Sequence, residues 1–296
     1  MDAHFNAKHV DEFKSGWAAS VRDNVQFYET DRVLFRYREV KGPEGAPTLV
    51  FSVDPPVSLE QYDELMGLLC NDFRVVVFEL PGMGFSPGKR AFRFGFRETN
   101  DQIARFLEAI AGPGSILAFS CGAGLASLDL ATRRPGLVSA QVLIQVTNVA
   151  GFAEWKTARD PKRILAKPIL GQLAMRKLAK KRMPAWFRLS LGRKEHVPEF
   201  CACSGAAMDH GALWSLASAY QVYLRPDISL AQVNQPTLVI WGEADGSHPI
   251  EHRDAILSVV PAADIRSFRK LGHFPELQDP LTIAQTICGW TTELNR

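Results

Sequence analysis

Five short apolar runs, separated by segments with helical spacing, constrain the fold of this chain more than any other feature. Each is bounded by turn-forming residues, and the runs are TLVFSV (48–53), FRVVVFEL (73–80), SILAF (115–119), SAQVLIQV (139–146) and PTLVIWG (236–242). Compact apolar runs of this kind are typical of strands buried on both faces of a parallel sheet. Their alternation with helical patterns predicts a doubly wound, mostly parallel α/β sheet.

The remaining segments complete this pattern. An alternating stretch, 25–40, predicts a hairpin that turns at Asp31 and Arg32, and 263–271 predicts a last strand. Asn100 is the expected N-cap of one helix. The expected helices are 11–24, 58–69, 100–111, 125–134 and 279–294.

One long segment, residues 147–228, interrupts the alternation, because it holds helical patterns and no clear strand. We interpret it as a helical lid inserted into a core made of residues 1–146 and 229–296. The lid is basic: residues 151–200 contain 13 Lys and Arg but 4 Asp and Glu, whereas the whole chain carries a net charge of +2.

The basic lid has several interpretations. The cations form either a solvated helix face or a surface for an acidic acyl carrier protein, the phosphates of coenzyme A, or anionic lipids. Trp186 and Phe187 among the charges are also compatible with an amphipathic helix at an interface. No recognised nucleic-acid-binding module accompanies the charges, so a nucleic-acid partner is not expected.

The overall composition predicts a cytoplasmic globular protein. Hydrophobic residues make up 46% of the 296 residues and charged residues 22%. Five cysteines, an odd number in a long chain, argue against a disulfide framework. The first residues lack the apolar region of a signal peptide, and no apolar run approaches the roughly 20 residues of a membrane span.

The stretch LAFSCGAGLASL (117–128) contains the most reactive side chains. A strand-like run stops at Ser120 and Cys121, and a helical pattern begins at once. Nucleophilic acyl chemistry needs a nucleophile, a base and an acid that orients the base. Asp245 in WGEADGSHP is a candidate acid, with Glu243 as the neighbouring alternative. His273 in LGHFPELQDP is a candidate base.

Together these segments resemble the α/β-hydrolase superfamily, from about residue 25 to the end of the chain. FELPGMGFSPG (78–88) resembles the family's Asp-x-x-Gly-x-Gly-x-Ser turn, with Glu79 where Asp is usual. PTLVIWGEAD and GHFPELQDP resemble the segments that carry the family's acid and histidine. The resemblance implies an α/β-hydrolase fold, an acyl hydrolase or acyltransferase acting on an ester or thioester, and a triad that includes Asp245 and His273. The other histidines considered lie outside this context and are not expected to be the base: His196, His210, His248 and His252.

Ser120 and Cys121 both remain candidate nucleophiles. The tight turn needs small residues two positions before and after the nucleophile, and Ala118 and Gly122 satisfy this for Ser120. The spacing to Pro135, fourteen residues after Cys121, matches the family only when Cys121 is the nucleophile. The register therefore favours Cys121.

The loop after the first long strand departs from the family pattern. Gly122 is expected to supply one N–H group to the oxyanion. Val53 and Asp54 stand where the family has a His-Gly pair, and Pro55, which lacks an N–H, stands at the expected second donor. A protonated Asp54 is one replacement donor. Two other readings follow: a lyase or cyclase in which His273 and Asp54 transfer protons, and a non-catalytic ligand-binding protein.

Metals and cofactors are not expected. The residue types and spacing of one lid group are compatible with zinc, but packing of the lid is the preferred explanation; its members are His196, Cys201, Cys203 and His210. No dinucleotide-binding or phosphate-loop pattern is present. The expected ligand is a small acyl substrate.

Overall fold

One mixed eight-stranded sheet forms the centre of the computed structural model, which describes residues 1–225 and 227–294. The strands lie in the order β1-β2-β4-β3-β5-β6-β7-β8, and β2 runs antiparallel to both of its neighbours while all other pairs are parallel. The prediction of a doubly wound, mostly parallel sheet is confirmed. The strands are β1 (Val25–Glu29), β2 (Leu34–Val40), β3 (Thr48–Val53), β4 (Arg74–Glu79), β5 (Ser115–Ser120), β6 (Val138–Ile144), β7 (Thr237–Gly242) and β8 (Asp264–Phe268).

Helices connect the strands and cover both faces of the sheet. Two of them, α5 and α10, continue into π-helical turns at Leu107–Ala111 and Ala219–Tyr223. The α-helices are α1 (Asp2–Asn6), α2 (Val10–Ser15), α3 (Trp17–Ser20), α4 (Asp63–Leu69), α5 (Phe96–Phe106), α6 (Gly124–Arg133), α7 (Val149–Arg159), α8 (Leu170–Ser190), α9 (Val197–Asp209), α10 (Leu216–Ser218), α11 (Glu251–Ala255), α12 (Pro275–Gln278) and α13 (Pro280–Leu294).

Side chains of the central strands alternate between two large apolar clusters, one on each face of the sheet. In β5, Leu117 and Phe119 belong to one cluster, which also includes Cys121. Ile116 and Ala118 belong to the other. Burial on both faces explains why the central strands are continuous apolar runs rather than alternating ones.

The helices α7 to α10 are inserted between β6 and β7, in the region where the sequence predicts a lid. The 21-residue α8 is the longest of them and contains Pro184. The limits 147–228 of a separate lid domain remain a prediction.

Two local predictions about helices are wrong. The first predicted helix is interrupted at Gly16, whose extended backbone (ψ −154°) ends α2 and precedes α3. Helix α5 begins at Phe96 rather than at Asn100, so Asn100 is not its N-cap. The Asn100 amide instead donates to Asp129 at 2.8 Å and accepts a hydrogen bond from Tyr223 at 3.3 Å, which makes it a buried link between helices.

Candidate active site

The turn after β5 brings Cys121 into the site by an unusual backbone conformation. Ser120, the last residue of the strand, is extended (φ −102°), whereas Cys121 has φ +49°. A positive φ is uncommon for a residue with a side chain and is often found at functional sites. Gly124 lies so close to β6 that an added Cβ would come within 2.3 Å of Val146. The tight turn thus places Cys121 at the end of the strand, where it lines a cavity although it is buried.

Three side chains converge at this position. The Cys121 sulfur, one ring nitrogen of His273 and a carboxylate oxygen of Asp54 all lie within 4.8 Å of one another. His273 is held from both ends: its Nδ1 lies 2.6 Å from Asp245 and its Nε2 lies 3.0 Å from Asp54. All four residues are buried. The structure therefore gathers three parts of the sequence that lie up to 219 residues apart.

Hydrogen bonds from Ser247 and Gln145 also hold the Asp245 carboxylate in place. Ser247 donates to Oδ1 through its backbone N–H (2.8 Å) and its hydroxyl (2.6 Å). The Gln145 side chain donates to Oδ2 at 3.1 Å and also bonds the backbone of Gly242. Glu243, the alternative acid, lies 3.9 Å from Arg253. In the described part of the chain, the Glu243 carboxylate forms no hydrogen bond or ion pair with His273. Of the two candidate acids, Asp245 is thus the one that contacts His273.

Burial and mutual charge shift the pKa values of this cluster in different directions. Burial tends to raise the pKa of Asp245, but the charge of His273 and bonds from both neighbouring histidines hold it well below its usual range. Burial tends to lower the pKa of His273, but Asp245, Cys121 and Asp54 together raise it. Asp54 has a raised pKa because of burial, in spite of His273. The 3.0 Å contact and the raised pKa values of both groups favour a proton held between Asp54 and His273.

The Cys121 thiol is neutral in the resting site. Burial and the nearby Asp54 raise its pKa to about 11, although His273 acts in the opposite direction. A thiol of this kind does not act as a standing thiolate, so it must transfer its proton to a base during any nucleophilic attack.

His248, which the sequence analysis considered and did not expect to be the base, lies against Asp245. Its Nδ1 lies 3.1 Å from Asp245, and its ring stacks between Trp155 and His273, with centroids 5.6 and 5.0 Å away. Burial lowers its pKa to about 4. His248 is therefore neutral at pH 7 and supports Asp245. Gln145 was missed; the one available signal was its position at the end of a buried strand.

Ser120 faces the other side of the sheet. Its hydroxyl donates to Glu276 at 3.4 Å, and Tyr62 donates to the same oxygen at 3.3 Å. Its backbone N–H donates to the hydroxyl of Ser52 at 3.1 Å. No contact joins Ser120 to His273 among the hydrogen bonds of the described residues.

The loop predicted to form the oxyanion site surrounds the cluster in part. Asp54, Pro55 and Gly122 line the same cavity as Cys121 and His273. Val53, the last residue of β3, is buried and does not line that cavity among the described residues. Pro55 offers no N–H, so the polar group that this loop presents to the cavity is the Asp54 carboxyl.

The cavity has a volume of about 550 Å³ and is predominantly apolar. Its floor is formed by the cluster described above, while one wall is formed by α7 and α8. Trp155 and Trp186 lie in this wall, and the Trp186 ring meets His273 edge to face at 5.7 Å. A cavity of this size and character suits a small molecule with an extended apolar part.

The four residues considered for zinc do not converge. Cys203 faces Ser58 at 3.4 Å, and His210 stacks on Trp17 at 4.6 Å. In the part of the chain that is described, the residue groups close enough to share an ion are Asp54–Cys121–His273 and Asp245–His248–His273. His252 lies 3.1 Å from Glu154, outside the cluster around Cys121. Packing accounts for Cys203 and His210 in the lid.

Comparison with known proteins identifies the family. The sequence profile of the Alpha/beta hydrolase family matches residues 49–286, which is most of the chain. This chain belongs to the alpha/beta hydrolase family. The sheet order and the convergence of Cys121, Asp245 and His273 agree with that assignment.

Two curated relatives of this alpha/beta hydrolase are distant. The biotin biosynthesis bifunctional protein BioHC of Teredinibacter turnerae is 22% identical over 234 residues, which cover 75% of this chain and 40% of that protein. The pimeloyl-[acyl-carrier protein] methyl ester esterase of Nitrosospira multiformis is 27% identical over 202 residues, covering 61% of this chain and 70% of that one.

Solved structures share the fold at low sequence identity. An N-acyl homoserine lactone degrading enzyme superimposes with a TM-score of 0.68 at 18% identity, covering 89% of this chain and 99% of that one. The epoxide hydrolase of Bacillus megaterium gives the same TM-score at 16% identity, covering 92% and 100%. No helix in the described residues of the alpha/beta hydrolase is both long and apolar enough to cross a membrane.

Proposed function

We propose that this alpha/beta hydrolase cleaves an ester or thioester of an apolar acyl group through a covalent intermediate on Cys121. The observation that carries the proposal is the position of the Cys121 thiol, which shares a cavity corner with His273 while His273 is held by Asp245 at 2.6 Å. In this arrangement His273 is the general base and acid, and Asp245 orients it.

In the first step the neutral thiol transfers its proton to Nε2 of His273 while the sulfur attacks the carbonyl carbon. The carbonyl π electrons move to the oxygen, which becomes an oxyanion. When this intermediate collapses, the bond to the leaving oxygen or sulfur breaks, and the leaving group takes the proton from Nε2. The product of this step is an acyl thioester on Cys121.

In the second step water loses a proton to Nε2 and attacks the thioester carbonyl. The carbon–sulfur bond then breaks, and the sulfur regains the proton. An alcohol or amine acceptor in place of water would make the same chemistry an acyl transfer. We favour hydrolysis because a relative is named as an esterase, and its name states a pimeloyl-carrier methyl ester as its substrate.

Asp54 fills the role of the missing backbone donor in this proposal. In its protonated form it donates a hydrogen bond to the oxyanion, opposite the Gly122 N–H. When the proton between the two groups lies on Asp54, Nε2 of His273 is free to accept the thiol proton. Burial of Asp54 favours the protonated form, as its raised pKa shows.

A second candidate function rests on the 3.0 Å contact between Nε2 of His273 and Asp54. In a lyase or cyclase, this pair would remove a proton from the substrate and return it elsewhere, and no acyl-enzyme would form. Cys121 would then shape the cavity and take no part in bond formation.

The deciding experiment is intact-protein mass spectrometry after brief incubation with acyl thioesters and activated esters, followed by peptide mapping. We expect an acyl mass on the peptide that contains Cys121. Because Ser120 and Cys121 are adjacent and lie on the same peptide, the variants Cys121→Ala and Ser120→Ala are needed to tell which of them carries the adduct. The adduct should disappear in the first variant and persist in the second.

Other outcomes would reject the proposal. Turnover without any adduct, together with inactivity of His273→Ala, would favour the proton-transfer candidate. Full activity of His273→Ala would defeat both. Tight ligand binding with no turnover of any substrate would support a non-catalytic binding protein.

A further inference from the structure

Exposed apolar side chains concentrate on one part of the lid. Of the twelve large hydrophobic residues that are exposed in the described chain, six lie within 26 residues; they are Ile164, Ile169, Leu170, Leu173, Leu178 and Leu189. Scattered exposed apolar residues need no explanation, but a cluster of this size marks an interaction surface.

The same segment is strongly basic. Residues 161–190 contain nine Lys and Arg and no Asp or Glu. Arg176 forms an ion pair with Asp2, and Lys180 forms one with Asp209. Among the described residues, the other seven cations form no ion pair: Lys162, Arg163, Lys167, Lys177, Lys181, Arg182 and Arg188.

Helix α8 presents both kinds of side chain on one face. Leucines and cations recur there at intervals of three, four and seven residues, which places them on one side of a helix. The exposed residues concerned are Leu170, Leu173, Lys177, Lys181 and Arg188. An adjacent strip of α8 borders the cavity, and its members Leu178, Arg182 and Leu189 are both exposed and cavity-lining. The cavity mouth and the apolar, basic surface are thus continuous.

We propose that this surface, residues 161–190, docks onto the surface of an anionic lipid bilayer. Unpaired cations fit anionic headgroups, and the exposed leucines and isoleucines fit the apolar layer just beneath them. An acidic protein would satisfy the cations but would leave most of these apolar side chains without a matching partner. Docking would also place the cavity mouth against the bilayer. The consequence that acyl substrates enter from the lipid rests on the proposed function, whereas docking itself does not.

The test measures co-sedimentation of the full chain with phosphatidylcholine vesicles, with and without phosphatidylglycerol. We expect binding to the anionic vesicles only, and release at high salt. Combined Lys177→Gln, Lys181→Gln and Arg188→Gln substitutions should weaken binding on the order of 100-fold, since each cation near such a surface contributes about fivefold.

A second pair of variants separates the apolar contribution from the charges. Leu170→Ser with Leu173→Ser should weaken vesicle binding about tenfold. Leu257→Ser with Leu281→Ser, at exposed positions outside the lid, is the control and should change nothing. All variants should cleave a short, water-soluble ester at the wild-type rate, which separates failure of docking from failure of the proposed function.

Three results would overturn the inference. They are absence of binding to anionic vesicles at low salt, equal effects of the lid and control leucine pairs, and binding of an acidic acyl carrier protein to this surface without any vesicle binding. The last result would assign the lid to a protein partner instead.

Discussion

The neighbouring residues Ser120 and Cys121 belong to two different buried groups of side chains, one on each side of the sheet. Each group contains an acidic residue, Glu276 beside Ser120 and Asp54 beside Cys121. Cys121 meets His273 and Asp54 beside a cavity of about 550 Å³. Ser120 meets Glu276 in a cluster that does not line this cavity. Both clusters contain a carboxyl whose pKa is raised by burial. The difference is access: a reactive group needs a substrate next to it, and only the Cys121 side provides the space.

The comparison also separates two uses of a buried acid. On the Cys121 side, Asp54 has a charged partner in His273, so a proton can move between them. On the Ser120 side, Glu276 has hydroxyl partners only, and its Oε2 has no hydrogen-bond partner in the described residues. The first arrangement suits proton transfer, whereas in the second burial raises the pKa of Glu276 even though both hydroxyls donate hydrogen bonds to its carboxyl.

The largest expected effect comes from replacing each of the two candidate nucleophiles, one at a time, with alanine. Cys121→Ala should lower kcat/KM for a cleaved ester by at least about 10⁴-fold, as for loss of a nucleophile elsewhere. Ser120→Ala should lower it less than about tenfold, because it removes a 3.4 Å hydrogen bond on the far side of the sheet. Steady-state kinetics measures both. Equal losses in two folded variants would contradict the distinction between the two sides.

The second prediction concerns Asp54 and its proton. Asp54→Ala should lower kcat by roughly 10² to 10³-fold, the cost of losing one oxyanion donor. Asp54→Asn keeps a donor and should stay within about tenfold of wild type. Because ionisation of Asp54 places a negative charge beside the oxyanion, wild-type activity should fall as pH rises through the raised pKa of Asp54, and the Asn variant should lose that decline.

The control for this prediction is the decline in activity as pH falls through the raised pKa of His273, because protonated His273 can no longer act as a base. That decline should remain in Asp54→Asn. If Asp54→Asn is as inactive as Asp54→Ala, Asp54 acts as a proton-transfer residue, and the lyase or cyclase candidate gains support.

The third prediction concerns Glu276, on the Ser120 side of the sheet, and the pH dependence of the free energy of unfolding. Burial raises the pKa of Glu276 from 4.5 to about 7, so the folded state binds its proton more tightly than the unfolded chain does. This stabilising contribution is complete below pH 4.5 and is lost as pH rises through 7. Glu276→Gln should therefore gain up to about 3 kcal/mol relative to wild type between pH 5 and pH 8. Urea unfolding at the two pH values measures this; an unchanged difference would contradict the closed environment.

The smallest expected effect concerns His248, on the cavity side of the sheet. Here stability is lost as pH falls, whereas for Glu276 it is lost as pH rises. Burial lowers the pKa of His248 from 6.5 to about 4, so the unfolded chain takes up a proton first as pH falls. Stability is then lost between pH 6.5 and 4. His248→Gln should reduce the loss between pH 7.5 and pH 5 by about 2 kcal/mol. Unfolding curves of variant and wild type provide the measurement, and parallel curves would show that His248 is already charged in the fold.

The sequence by itself determined the architecture and the chemical types of the site. Continuous apolar runs such as VVVF (75–78) identify strands buried on both faces, because such strands have no polar side. The segments around Asp245 and His273 were recognisable because each follows a strand in a local pattern. Where such local patterns failed, as at Asn100, a contact distant in sequence with Asp129 had replaced the expected cap.

Only the tertiary structure decided which side each residue faces and what it meets there. The sequence left Ser120 and Cys121 open, because side-chain direction depends on the positive φ of one residue at the end of β5. It suggested His273 and Asp54 as a proton-transfer pair in one interpretation but could not establish their contact, because that contact spans 219 residues. Nothing in the sequence indicated that His248 or Gln145 contacts Asp245, for the same reason: these contacts come from chain packing and leave no local pattern.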